Sequence, residues 1–231
     1  MTGAKSSNKS QLINETLNAG SKLVDPAVAS VCTQQIPNEI DPEQSYRASA
    51  YSLLAALLRA SPGQDLLDHV KQLSPDGETN PDGLLQAMSA LAQSANEHQP
   101  ADLIEEYHQL FIGLGKGEVV PYASWYLTGF LMEQPLSDLR DDLRALGFER
   151  SDDIPEPEDH AAALCEVISV MISDGTSLAQ QKRFFDAHML SWMGRFFEDL
   201  ANARSAVFYQ SVAGFGAAFT EFEHAYMSMQ S

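Results

Sequence analysis

The chain has 231 residues, of which 44% are hydrophobic and 20% are charged, a composition that allows one good-sized globular domain or two small ones. Its 32 acidic residues outnumber 14 basic residues and give a formal net charge of -18. Such a surface repels nucleic-acid phosphates and anionic lipids, so it argues against both as partners and favours a basic partner.

The N-terminal part of the chain differs from the rest. Residues 1–40 are polar and weakly periodic, which predicts a mobile arm ahead of a helical domain over residues 41–231. The domain begins where Asp41 and Pro42 suit the N-cap and first position of a helix, and Gln44 completes a capping box. Apolar residues then recur at helical spacing on one stripe: Tyr46, Ala50, Leu53, Leu54, Leu57 and Leu58.

Helical periodicity continues along the chain, broken by the loop Ser74–Pro81 and by the glycine-rich stretch Gly113–Pro121. The predicted helices are Gln64–Leu73, Asp82–His98, one that opens at Pro100, Ser124–Gln134, Pro135–Leu146, Pro157–Ile172, Ser177–His188, Leu190–Ala203 and Ser205–Ser228. No segment shows the sustained polar–apolar alternation of a half-buried strand. The sequence therefore predicts an all-α protein, a single globular domain of about ten helices.

The densest polar cluster is Glu156-Pro157-Glu158-Asp159-His160. One interpretation is structural, because Pro157 suits the first position of a helix and acidic residues there complement the helix dipole. The other is a binding site, in which Asp159 accepts hydrogen bonds from a guanidinium and His160 donates or accepts beside it. Both interpretations remain open from the sequence.

An aromatic block, Pro121–Tyr126, directly follows the glycine-rich stretch Gly113–Pro121. Such residues either pack in the core or line a groove for an apolar peptide, and Tyr107, Leu110 and Phe111 lie just upstream on the same predicted wall. The glycines fit a flexible hinge between helices, and they match neither of the common phosphate-binding patterns.

Two Glu-x-x-His pairs, Glu105 with His108 and Glu221 with His224, raise an alternative from another class of protein. In a helical bundle, two such pairs with two further glutamates can build a di-iron site. This alternative is a metal-dependent helical-bundle oxidoreductase. The other interpretation of the four residues is that they lie on exposed polar helix faces.

The cellular compartment is constrained by what the sequence lacks. The two cysteines, Cys32 and Cys165, cannot build a disulfide framework. No apolar run approaches the ~20 residues of a membrane-spanning helix. We therefore expect a cytoplasmic protein without stable membrane insertion.

His188 and Trp192 lie on a strongly apolar helix pair, and we expect a buried, hydrogen-bonded histidine there rather than a ligand.

Several blocks, in order and at matching spacing, resemble the TorD/DmsD/NarJ family of chaperones for molybdenum oxidoreductases. The blocks are Glu106–Gly113, Pro121–Tyr126, Leu136–Phe148, Glu156–His160 with the signature EPxDH, and Gln181–Trp192 with a pattern similar to FxxxHLxPW. In the last block Met189 and Ser191 stand where leucine and proline are usual. The resemblance covers roughly residues 43–226.

The resemblance implies an all-helical chaperone that performs no catalysis and holds no cofactor. Such proteins bind the twin-arginine signal peptide of an apo molybdopterin oxidoreductase and delay its export until the cofactor is inserted. Some are monomers and some are domain-swapped dimers. By this resemblance, and with Glu158 from the acidic cluster, the expected contacts with the signal peptide are Tyr107, Leu110, Phe111, Pro121, Tyr122, Ser124, Tyr126, Glu158, Asp159 and His160.

Overall fold

The computed structural model describes residues 41–73, 83–113, 116–149 and 156–229. Over these residues the chain forms ten α-helices, one π-helical turn and no β-strand, so the prediction of an all-α fold is confirmed. The predicted N-terminal arm over residues 1–40 and the predicted loop over residues 74–81 lie outside the described residues.

The helices, in chain order, are α1 Pro42–Arg59, α2 Gln64–Val70, α3 Gly83–Glu97, α4 Pro100–Tyr107, the π-helical turn His108–Ile112, α5 Ala123–Thr128, α6 Gln134–Ala145, α7 Ala161–Ser173, α8 Leu178–His188, α9 Met193–Asn202 and α10 Phe208–Met229. Helix α1 packs along α7, and α10 packs along α3 and α9. Their shared core is rich in leucine and phenylalanine, with Trp192 and Tyr51 among its largest fully buried side chains. None of the described helices is both long enough and apolar enough to span a membrane.

The start of α1 confirms one prediction and corrects two. The Asp41 carboxylate accepts a hydrogen bond from the Glu43 N–H at 3.2 Å, as an N-cap does. Gln44 does not close a capping box, because its side-chain oxygen accepts from Arg47 at 2.7 Å. Tyr46, predicted on the apolar stripe, is 77% exposed. Arg47, the next residue along the helix, is buried instead.

A buried ion pair and its hydrogen bonds join three helices. The guanidinium of Arg47 on α1 donates to both carboxylate oxygens of Glu223 on α10, each at 2.7 Å. It also donates to Gln181 on α8 at 2.9 Å. Both charged side chains are buried, so each depends on the other for its hydrogen bonds.

Helix α5 is shorter than predicted. The expected helix over residues 124–134 stops at Thr128, because Gly129 adopts φ +83° and ends the helix in the left-handed conformation. Four bent residues follow, and α6 then begins at Gln134 with Pro135 at its start. This early stop leaves a short non-helical segment between α5 and α6.

Three later helices begin a few residues after their predicted starts. Helix α7 begins at Ala161 rather than Pro157, because the preceding residues form a turn in which the His160 N–H donates to the Pro157 carbonyl at 3.2 Å. Helix α9 begins at Met193 rather than Leu190. Helix α10 begins at Phe208 rather than Ser205.

The start of α10 is held by a carboxylate from a distant helix. Glu106 on α4 is buried and accepts backbone hydrogen bonds from Val207 and Tyr209 at 2.8 Å each, and from Phe208 at 3.2 Å. These N–H groups are among those that a helix N-terminus leaves without internal partners. Glu106 therefore fixes where α10 begins and how it meets α4.

The π-helical turn was not predicted. It ends at Gly113, which has φ +58° and donates its N–H to the His108 carbonyl at 2.7 Å. The chain then returns, and the Val119 N–H donates to the Leu110 carbonyl at 2.8 Å. A Cβ atom at Gly117 would overlap that same carbonyl. The described part of the glycine-rich stretch is thus packed closely against the helix end.

Candidate functional site

The structure brings together two predicted blocks that lie more than thirty residues apart. Tyr122 and His160 form an isolated antiparallel bridge, and their rings meet edge to face with centroids 5.0 Å apart. The Ala123 N–H donates to the Asp159 carbonyl at 3.0 Å, and the Ala161 N–H donates to the Pro121 carbonyl at 2.8 Å. We call residues 121–124 and 157–161 the junction.

Asp159 is the buried carboxylate at the centre of the junction. It is 1% exposed, and its Oδ2 accepts hydrogen bonds from the Ser124 N–H at 2.9 Å and from the Ser124 hydroxyl. These contacts supply a cap for the start of α5. Its Oδ1 is also buried and has no hydrogen-bond partner among the described residues. One half of this carboxylate is therefore satisfied and the other is not.

His160 is buried beside Asp159 and serves as the N-cap of α7. Its Nδ1 accepts the Ala162 N–H at 3.0 Å, which requires an unprotonated Nδ1. Burial, and then the positive charge of Arg59, lower the pKa of His160 to about 4. The ring is consequently neutral near pH 7. The segment does precede and cap a helix, but His160 is the N-cap and α7 begins at Ala161, so the predicted place of Pro157 at the first helical position is wrong.

The acidic residue directly before Asp159 is less available for a basic partner than the sequence suggested. Glu158 accepts hydrogen bonds from Arg140 Nε at 3.0 Å and from an Arg140 terminal nitrogen at 2.8 Å. It lines a cavity of about 670 Å³ between α6 and α7, which Arg59 and Arg144 also line. Its lining also includes five apolar residues: Leu143, Phe148, Ala163, Val167 and Val170. Three arginines and four glutamates thus line this cavity, so the arginines offset most of the acidic charge there.

Tyr107 belongs to the same neighbourhood as the junction. Its hydroxyl donates to the Arg59 carbonyl at 2.8 Å. Burial and then the carboxylate of Glu156 raise the pKa of Tyr107 and of Tyr122 to about 12 each. Both tyrosines thus lie near one carboxylate. They are half-buried, so each keeps part of its ring at the surface.

The other predicted contact residues lie mainly in packing positions. Three of them, Leu110, Pro121 and Ser124, are buried and support the half-buried residues of the site. Phe111 is half-buried against Tyr209, with ring centroids 5.4 Å apart. Tyr126 lies one turn along α5 from the junction, and its ring stacks on Trp192 with centroids 5.5 Å apart.

A second cavity on the other side of Asp159 was not predicted. It has a volume of about 270 Å³ and is lined by Ala123, Leu127, Pro135, Asp138, Leu139, Asp142, Asp159, Leu164, Ala187 and His188. His188 is buried, as expected, and its Nε2 lies 2.8 Å from the Asp142 Oδ2. The spacing of Asp138 and Asp142 places them on one face of α6. Nothing in the sequence separates these two from the other acidic residues.

The four residues of the metal-site alternative do not form such a site. Glu105, His108, Glu221 and His224 are all exposed. Among the described residues, no group of three or more histidine, cysteine, aspartate or glutamate side chains is arranged to hold a metal ion. The di-iron interpretation is therefore wrong for these residues, which lie on exposed helix faces.

The sequence profile of the nitrate reductase delta subunit family matches residues 78–198, just over half of the chain. The chain belongs to this family. The resemblance to TorD, DmsD and NarJ proteins is thereby confirmed. The matched region contains both halves of the junction, so family-like segments build its contacts.

Curated relatives of this nitrate reductase delta subunit family member carry the name chaperone protein TorD. That of Vibrio parahaemolyticus is 28% identical over 63% of this chain and 73% of its own length. That of Vibrio atlanticus is 26% identical over 79% of this chain and 94% of its own. A solved structure of a candidate redox enzyme maturation protein from Archaeoglobus fulgidus has a TM-score of 0.49 and 19% identity, covering 76% of this chain and 92% of that one.

Proposed function

We propose that this protein is a maturation chaperone for a molybdopterin-dependent oxidoreductase and that it binds the twin-arginine signal peptide of the apoenzyme. Family membership and the similarity to TorD chaperones support the chaperone role. The observation that carries the peptide site is the junction, where the ring of Tyr122 packs on His160 beside the half-satisfied carboxylate of Asp159.

The peptide lies against the half-buried tyrosines and the cavities on either side of the junction. Tyr107 and Tyr122 offer partly exposed rings, which bury apolar peptide side chains at about 25 cal/mol per Å² before ordering costs. The net charge of -18 attracts the basic head of the peptide and raises the association rate more than the final affinity. The contact set is the one expected from the sequence apart from Glu158, which Arg140 already occupies, and the buried residues Leu110, Pro121 and Ser124 support the others.

In this role the protein acts by binding alone. It binds the signal peptide in the cytoplasm and releases it after the molybdopterin cofactor has been inserted into the client enzyme. The chaperone itself holds no cofactor and performs no catalysis. Whether it acts as a monomer or as a domain-swapped dimer stays a prediction of the resemblance.

Calorimetric titration with a synthetic twin-arginine signal peptide tests this function. We expect about micromolar binding, and at least ten-fold weaker binding when both peptide arginines are replaced by glutamine. Tyr122→Ala should weaken binding about ten-fold, whereas Tyr46→Ala, on the exposed face of α1, should leave it unchanged. Absence of binding by the unmodified protein at millimolar peptide would refute the proposal.

A further inference from the structure

The smaller cavity, of about 270 Å³, is lined by Asp159, and its charged side chains are mainly acidic. We call it the acidic pocket. Three of its lining residues are aspartates, Asp138, Asp142 and Asp159, and none is lysine or arginine. Its single basic side chain is His188, which is already hydrogen-bonded to Asp142 at 2.8 Å. The pocket therefore has a surplus of negative charge that its own residues do not neutralise.

Asp159 adds an independent sign that this pocket receives a ligand. Its Oδ1 is buried without a hydrogen-bond partner among the described residues, although its Oδ2 accepts two hydrogen bonds. A buried, unpaired carboxylate oxygen is costly, at about 1–3 kcal/mol, and such oxygens are usually paired. A ligand donor that reached this oxygen from the pocket that Asp159 lines would satisfy it.

The chemistry of the lining selects among cationic donors. Asp138 lies exposed at the rim, Asp142 is half-buried, and Asp159 is the buried residue. Because the three carboxylates lie at different depths, they suit a ligand group that carries several N–H donors at the end of a long side chain. A guanidinium has five donors in a planar fork and is more weakly hydrated than an ammonium, so it loses less on entering a pocket.

An exposed apolar segment adjoins the acidic pocket. Helix α5 ends early, and Leu127, which lines the pocket, begins a run in which Phe130, Leu131 and Met132 are also exposed. Phe130 is 69% exposed and Met132 is 72% exposed. Met132 also has φ +60°, a conformation that costs energy for a residue with a side chain. We call residues 127–132 the apolar strip.

We propose that the acidic pocket binds the side chain of a peptide arginine and that the apolar strip receives the apolar residues next to it. The proposal rests on the proposed function and identifies which part of the signal peptide meets which surface. It assigns the basic head to Asp138, Asp142 and Asp159 rather than to Glu158, which Arg140 already occupies.

A double-mutant cycle by calorimetry tests the pocket. Asp142→Asn should weaken binding of a twin-arginine peptide about ten-fold, and Asp138→Asn, at the rim, about two- to five-fold. The matched control is Asp141→Asn on the same helix, which lies outside the pocket lining and is paired with Arg144. It should change the affinity by less than about two-fold. Replacing one peptide arginine by citrulline should abolish most of the Asp142→Asn effect, because the charge pair is then already lost.

The apolar strip is tested separately with Met132→Asn, because asparagine tolerates a positive φ and removes only the apolar side chain. We expect at least three-fold weaker binding of the same peptide. Met229→Asn, at an equally exposed methionine near the end of α10, is the control and should have no effect.

The outcomes separate this inference from the function on which it rests. If the unmodified protein does not bind the peptide, the proposed function fails. If the peptide binds and neither Asp142→Asn nor Asp138→Asn changes its affinity, the peptide uses another surface and this inference is overturned. Self-association that Met132→Asn abolishes, at unchanged peptide affinity, would assign the strip to a second copy and would also overturn it.

Discussion

Two buried carboxylates in this protein have opposite surroundings. Glu223 is fully buried, and both of its oxygens accept hydrogen bonds from Arg47 at 2.7 Å. Asp159 is almost as inaccessible, yet it forms no ion pair among the described residues and only its Oδ2 accepts hydrogen bonds. The first belongs to a complete network between helices, and the second lies between a helix cap and an open pocket.

This difference in hydrogen bonding assigns the two carboxylates to different roles, Glu223 to stability and Asp159 to binding. A buried ion pair whose groups are all satisfied contributes to the arrangement of α1, α8 and α10 and leaves nothing for a ligand. A buried carboxylate with one free oxygen contributes less to stability than it can and retains capacity for a donor. Substitutions at Glu223 should therefore act on folding, whereas substitutions at Asp159 should act mainly on binding.

The largest expected effect comes from breaking the complete pair. Glu223→Leu leaves the Arg47 guanidinium buried without its carboxylate, and we expect a loss of about 3–5 kcal/mol in the free energy of unfolding, measured by urea denaturation. The double variant Arg47→Met/Glu223→Leu should recover most of this loss. A single variant as stable as the unmodified protein would contradict the structural role of the pair.

The next effect is a pH dependence that arises at the junction. The folded-state pKa of His160 is about 4, below its ordinary value of about 6.5, so the unfolded chain takes up a proton that the folded chain excludes. Its contribution to stability is complete above about pH 6.5 and is lost as the pH falls towards 4, by about 3 kcal/mol in total. Urea denaturation from pH 7 to pH 4 measures it. In His160→Asn, which can still cap α7, this component of the pH dependence should disappear.

A third, smaller effect concerns the Glu106 cap of α10. Glu106→Ala leaves the backbone N–H groups of Val207, Phe208 and Tyr209 without their acceptor, and we expect a loss of about 1–2 kcal/mol. Glu105→Ala, at the exposed neighbouring residue, should have almost no effect. Thermal denaturation of the two variants side by side measures the difference. Equal melting temperatures would show that the cap contributes nothing.

These effects also show what could be predicted from the sequence. The presence and order of the helices followed from the 3.6-residue recurrence of apolar residues, whereas several of their ends did not. The early end of α5 did not, because it depends on the conformation of Gly129, one of 14 glycines. The inward position of Arg47 was missed because its partner Glu223 lies 176 residues away.

The candidate site was only partly predictable for a similar reason. The proximity of Tyr122 and His160 was implied by family-like blocks in order, and the structure places their rings in contact. The burial of Asp159 depends on Ser124, 35 residues earlier, and no local pattern encodes that contact. Asp138 and Asp142 gave no signal because 32 acidic residues are spread along the chain.

The smallest expected change in stability is at Asp159 itself. Asp159→Asn keeps an oxygen that accepts from Ser124 and replaces the unpaired oxygen by an amide group, so we expect unfolding free energy to change by less than about 1 kcal/mol. Asp159→Ala removes the acceptor as well and should cost about 1–2 kcal/mol. A loss at Asp159→Asn as large as that at Glu223→Leu would remove the contrast between the two carboxylates.

The affinity of Asp159→Asn for a twin-arginine signal peptide, measured by calorimetry on protein shown to be folded, tests the central claim most directly. We expect at least ten-fold weaker binding than for the unmodified protein, because the variant removes the charge that faces the peptide arginine. Full affinity in this folded variant would contradict the account and leave Asp159 as a helix cap alone.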